Sequence, residues 1–154
     1  MFINARNFIL VLLANFGFQY LSFKHLRIFD IAPDFTLLFI VFYSASTTEA
    51  TCLLAAFGLG LCQDLLLRSP LGGHSLGYLI VAYIASRLLA GRIDLKIKNT
   101  FLTAVYFAFL FSLIYENLVP PVWGANLLWK PAVFSLYSGL WSVPAFYFYR
   151  KGLA

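Results

Sequence analysis

The chain has 154 residues, 62% of them hydrophobic and 11% charged, with a mean hydropathy of +0.84. A soluble globular domain of this size cannot hide so much apolar surface, so the composition excludes one and predicts a polytopic membrane protein, a single all-α integral membrane domain over residues 1–154. The formal net charge of +5 does not point to nucleic acid, because the Lys and Arg residues sit at the ends of apolar segments and form no continuous patch.

Six apolar segments follow one another. The first, roughly 7–23, has only Arg6 ahead of it and no small-residue cleavage signal after it, which predicts a retained span and not a removed leader. The second, roughly 33–47, has about fifteen residues and reaches about 22 Å against a hydrocarbon core of about 30 Å, so it is expected to lie inside the bundle. Pro33 fits a first helical position, and Asp34 just after it suits the positive end of the helix dipole.

The third segment, roughly 49–67, opens on Ser46-Thr47-Thr48-Glu49, which has capping-box spacing and implies a tight hairpin with the second. Along it Cys52, Ala56, Gly60 and Asp64 fall four apart, a stripe of small residues leading to a carboxylate, where a neighbouring helix can come close. Cys52 and Cys62 are ten residues apart, about 15 Å along one helix axis, so they cannot pair and are expected to be small packing residues. The fourth segment, roughly 72–90, repeats the small-residue pattern at Gly73, Gly77, Val81 and Ala85; Ser135 and Gly139 do so on the sixth. The fifth runs roughly 100–119. A connection with Pro120, Pro121, Trp123, Gly124 and Asn126 separates it from the sixth, roughly 129–149, where Pro144 should kink the helix or end its regular part.

Orientation follows from Lys and Arg. With the N-terminus inside, Arg6, Arg87, Arg92, Lys96, Lys98, Arg150 and Lys151 face the cytoplasm, seven against the four at Lys24, Arg27, Arg68 and Lys130 outside. Both termini are thus expected in the cytoplasm, a five-span alternative placing Arg150 and Lys151 outside. Arg87, near the inner end of the fourth span, is read as snorkelling to headgroups.

Catalysis needs a nucleophile, a base and a charge-stabilising group converging on one cleft, and the sequence supplies none. His25 and His74 lie in different connections without zinc or triad spacing, so no catalytic residue, metal ligand or cofactor site is assigned, and His74 is read as a capping or interfacial polar group. A carboxylate at the end of a span is costly and marks a partner or a site. For Asp64 two readings stand: an intrahelical ion pair with Arg68, or a group that pins the turn Ser69-Pro70-Leu71-Gly72-Gly73 or meets a partner. Glu116, one turn before Pro120, either faces water or pairs with an outer Lys or Arg.

Pro33-Asp34 opening the second span, Gly60-Leu61 followed by Asp64, and Pro70-Leu71-Gly72 leading into the fourth resemble the bacterial rod shape-determining MreD family, as do the length and six-span layout. The last third matches by length and hydropathy alone. The resemblance implies a non-enzymatic, multi-pass scaffold of the inner membrane, part of the elongasome that maintains cell shape through peptidoglycan synthesis. It would bind MreC beside the glycosyltransferase RodA and a class B penicillin-binding protein, with membrane lipid around it. It also makes Pro33, Asp34, Gly60, Asp64, Pro70 and Gly72 the motif and interaction candidates. Because the family is similar in shape to substrate-binding subunits of vitamin-type transporters, a small-molecule transporter subunit is the alternative; it would need a polar pocket between spans.

Overall fold

The computed structural model describes residues 5–26, 31–67, 70–89, 97–118 and 129–153. Six helices form, α1 (Ala5–His25), α2 (Phe35–Ser46), α3 (Glu49–Leu67), α4 (Gly73–Leu89), α5 (Ile97–Leu118) and α6 (Trp129–Leu153), with no strand among the described residues. The all-helical fold class and the six elements match the sequence expectation. One helix, Glu49–Leu67, is by itself long and apolar enough to cross a membrane among the described residues.

The short second helix organises the rest. Every residue from Phe35 to Ala45 is buried, and α2 packs against all five other helices. Around it α3 pairs with α4 and α5 with α6, while α1 closes the bundle against α2 and α6. Phe35 meets the Trp141 ring at 5.7 Å and Phe42 meets Phe146 at 4.9 Å, so α2 and α6 run in the same sense. The start of α2 therefore lies level with Trp141, twelve residues beyond the start of α6, or about 18 Å further along the bundle. The chain between α1 and α2 enters the interior, where Ile31, Ala32, Pro33 and Asp34 are all buried.

Three local signals resolve differently from, or more narrowly than, the sequence reading, although α3 keeps its expected limits, Glu49–Leu67. Helix α2 starts at Phe35 and not at Pro33, because the Asp34 side chain accepts from the Leu37 amide and makes Asp34 the N-cap. Ser46 ends α2 with its hydroxyl donating to the Tyr43 carbonyl, so it takes no part in a capping box; Thr48 precedes α3, its carbonyl accepting from the Cys52 amide. Helix α6 does not end at Pro144 but continues to Leu153.

Small residues set the closest approaches. On α3 the expected stripe Cys52, Ala56, Gly60 and Asp64 is buried, and a Cβ at Gly60 would lie 2.4 Å from the Ser75 Cα. The obstruction is backbone, which cannot swing aside. At Gly77 and Gly139 a Cβ would meet side chains instead, Phe111 at 2.7 Å and Val105 at 2.4 Å. Cys52 is in the core as expected, whereas Cys62 is exposed and packs no interior. Arg87 pairs with Glu49 across α3 and α4, Nε to Oε2 at 3.1 Å, rather than snorkelling alone, an exposed link worth about 0.2–1 kcal/mol. Arg68, Arg92, Lys96 and the connection from Pro120 to Asn126 lie outside the described residues, as does the side chain of Glu116.

Gly60→Leu is expected to cost at least the about 1–3 kcal/mol typical of overpacking, because α3 and α4 must separate. Gly58→Ala, where a Cβ would meet nothing within 4 Å, should leave the fold intact or stabilise it by roughly 0.5–1 kcal/mol through lower chain entropy. Thermal unfolding of the two variants in the same detergent checks the contrast.

Candidate functional site: two carboxylates at two helix starts

A helix start exposes amides without intrahelical acceptors, and a start buried in the bundle must find them acceptors in the protein. At α2 the Leu37 amide donates to Asp34 Oδ1 at 3.0 Å, and the Phe35 and Thr36 amides donate to Gln19 Oε1 at 2.7 and 3.3 Å. Asn15, one turn earlier on α1, donates from Nδ2 to the Thr36 hydroxyl at 3.2 Å and accepts the Tyr149 hydroxyl at 2.6 Å. The Phe35 carbonyl lies 3.1 Å from that same hydroxyl as a second acceptor. Three helices, α1, α2 and α6, are thus tied by polar groups that are all 5% exposed or less.

Asp34 also accepts the Tyr78 hydroxyl of α4 at 2.5 Å. Tyr78 is wholly buried and its ring lies 5.8 Å from that of His74, one turn earlier on the same helix. His74 reaches the second carboxylate, with Nδ1 and Asp64 Oδ1 2.7 Å apart in a buried hydrogen bond. The His74 amide donates to the same oxygen at 3.0 Å. Asp64 Oδ2 accepts the Gly72 amide at 2.8 Å and the Ser75 hydroxyl at 3.3 Å. One side chain at the end of α3 thereby receives the turn and the first residues of α4.

The turn is built for this. Gly72 has φ +100°, a left-handed conformation that costs an L side chain energy and glycine nothing, and the Pro70 carbonyl accepts the Gly73 amide at 3.2 Å. Gly60, one turn before Asp64, lets the two backbones approach so that the carboxylate reaches.

Of the sequence candidates, Gly60, Asp64, Pro70 and Gly72 meet at the α3–α4 corner, and Pro33 and Asp34 at the start of α2, the two groups joined through His74 and Tyr78. Asp64 is interior, 1% exposed, not a surface group, and Asp34 at 5% is no span-end charge facing water. His74, expected as an interfacial group, is buried against Tyr115, with ring centroids 4.5 Å apart. The sequence reading missed Asn15, Gln19, Tyr78 and Tyr149. Two polar side chains four apart in the first apolar segment were the available signal for Asn15 and Gln19.

The chain matches the family described as rod shape-determining protein MreD over residues 2–147. It belongs to that family. No curated protein and no solved structure matches it. The MreD family is one of membrane proteins that determine rod shape, a structural role, and the match spans both corners of the polar network.

Chemically the network is an acceptor system facing donors, and each carboxylate has its partners from two elements. A cavity of about 390 Å³ lies beside it between α1 and α6, lined by Phe18, Leu21, Phe35, Trp141 and Phe148 among others. Its polar lining groups are His25, Trp141 and Tyr149, the last already bonded to Asn15.

Asp64→Leu would leave Gly72, His74 and Ser75 donors without an acceptor, each such loss costing about 1–3 kcal/mol, so a destabilisation of about 3 kcal/mol or more is expected. Asp64→Asn keeps one acceptor oxygen and should cost about 1 kcal/mol. Tyr78→Phe should lie between them, because it strips Asp34 of one bond. Detergent unfolding midpoints order the three, and amide exchange at Gly72 and His74 should accelerate in the Leu variant; equal midpoints for Leu and Asn would contradict this account.

Proposed function

We propose that this MreD-family chain is a non-enzymatic, multi-pass inner-membrane scaffold of the cell-wall elongation machinery, holding MreC beside RodA and a class B penicillin-binding protein. The observation that carries the proposal is the family match over 2–147 together with the use of its motif residues. Asp34, Gly60, Asp64 and Gly72 set the angle between helices instead of lining an open cleft. Such residues make a rigid body, which is what a scaffold requires.

Six helices packed as one multi-pass bundle, with both termini cytoplasmic, suit a bilayer although α2 is too short to cross it alone. Helices α1, α5 and α6 have 21, 22 and 25 residues, about 31 to 37 Å at 1.5 Å each, enough for a hydrocarbon core of about 30 Å. Large apolar side chains such as Leu13, Leu54, Leu65, Leu102 and Leu140 are more than half exposed, a surface suited to lipid and not to water. In this reading α2 does not need to reach both surfaces, since the bundle encloses it. The distribution of Lys and Arg places Arg87 and Lys151 inside with Lys24 and Lys130 outside.

A reporter active only in the cytoplasm should be active when fused after Ala154, and a periplasm-specific one silent; the reverse pattern would overturn the topology. Purified from native membranes, the chain should bring down MreC in comparable amount, and its depletion should turn rods into spheres. Asp64→Leu should lower that recovery more than Asp64→Asn does.

A further inference from the structure

The groove between α1 and α6 has features the scaffold role does not use. It runs along α1 from His25 to Phe18, seven residues or about 10 Å, and its far wall is Trp141, Pro144, Ala145 and Phe148 of α6. Its volume, about 390 Å³, falls within the roughly 300–1,000 Å³ of ligand sites. Leu21 and Phe18 are 49% and 44% exposed at its rim, so the groove opens sideways on the outside of the bundle. Its floor is closed by Phe35 and Tyr149, which belong to the polar network, so an occupant cannot pass further in.

One end of the groove differs from the rest. The last turn of α1 carries Lys24 and His25, both exposed, with His25 lining the groove mouth. Tyr137 of α6 donates to the Leu26 carbonyl at 2.9 Å and fixes the mouth in place. An apolar channel that opens to hydrocarbon and ends at the His25 imidazole, next to the Lys24 ammonium in the last turn of α1, has the chemistry of an anionic phospholipid: an acyl chain along Phe18, Leu21 and Phe148, and a phosphate at Lys24.

We infer that the α1–α6 groove binds the acyl chain of one anionic phospholipid whose headgroup is held by Lys24 and His25. The inference rests on the membrane-embedded reading of the chain.

The test uses the full chain in maltoside detergent, supplied with phosphatidylglycerol or phosphatidylcholine and weighed by native mass spectrometry. Wild type should retain one phosphatidylglycerol in preference to phosphatidylcholine. Ala145→Leu, on the far wall, and Leu21→Trp, at the half-exposed rim where no core packing is at risk, should each lower retention about tenfold, the effect of excluding roughly two methylenes. Lys24→Gln should erase the preference between headgroups while keeping an acyl chain bound. Wild-type retention in both narrowed variants, no retained lipid in wild type, or a photocrosslinker at Phe148 that captures a protein instead of lipid would each overturn the inference. Partition of wild type into the aqueous phase of a Triton X-114 separation would instead overturn the membrane reading itself; detergent-phase protein without lipid sinks the inference alone.

Discussion

The amides at the start of α2 are the constraint on which the bundle depends. Phe35, Thr36 and Leu37 point three donors into a space sealed by α1, α4 and α6, where no lipid and no bulk water can accept from them. Left unmade, each would cost about 1–3 kcal/mol, against a total stability that is commonly only about 5–15 kcal/mol. Gln19 and Asp34 resolve this, and each then becomes a buried polar group needing support. Asp34 obtains it from Tyr78 on α4. One local problem therefore recruits side chains from three other helices, α1, α4 and α6, and fixes their relative register.

The α3–α4 corner solves the same problem with a longer lever. A local cap reaches three residues along the chain, whereas Asp64 reaches eight to eleven, to Gly72, His74 and Ser75. That reach is available only because Gly60 brings the two backbones together and Gly72 turns left-handed. Burial raises the stakes of each of these hydrogen bonds, because a donor left unpaired there has no water to turn to. The corner is consequently a place where small changes in sequence have large structural effects.

These relations explain what could be read before the structure was known. The six elements were legible because apolar runs are broken by Pro, Gly and charged residues, and their expected limits differ from the observed ones by a few residues at most. The interior place of α2 was legible from the length of its apolar segment, since about fifteen residues reach only about 22 Å and fall short of a bilayer core. The stripe ending at Asp64 was legible from four-residue spacing. The start of α2 was misplaced because Pro33 and Asp34 both suit a first turn, and only the Asp34-to-Leu37 bond separates cap from helix. His74 was misread because its partner is ten residues away across a turn, and spacing rules for helices do not cross turns. Tyr78 and Tyr149 gave no signal, being two tyrosines among nine in a chain rich in aromatics.

Directing polar groups inward has a consequence for the outside. With Asp34, Asp64, Asn15 and Gln19 all 5% exposed or less, the described surface of the helices is mostly Leu, Ile, Phe and Tyr. In hydrocarbon such a surface gains nothing from burial as such, because lipid tails are as apolar as leucine, so association there depends on close packing and shape. Shape is what the two corners hold constant. Loosening either would move α4 against α2 and α3, altering every outward ridge together without changing a single surface residue. Residues buried at the two corners thus shape the outer contour from the interior, and any surface packed on that contour feels their loss at helices it reaches only from outside.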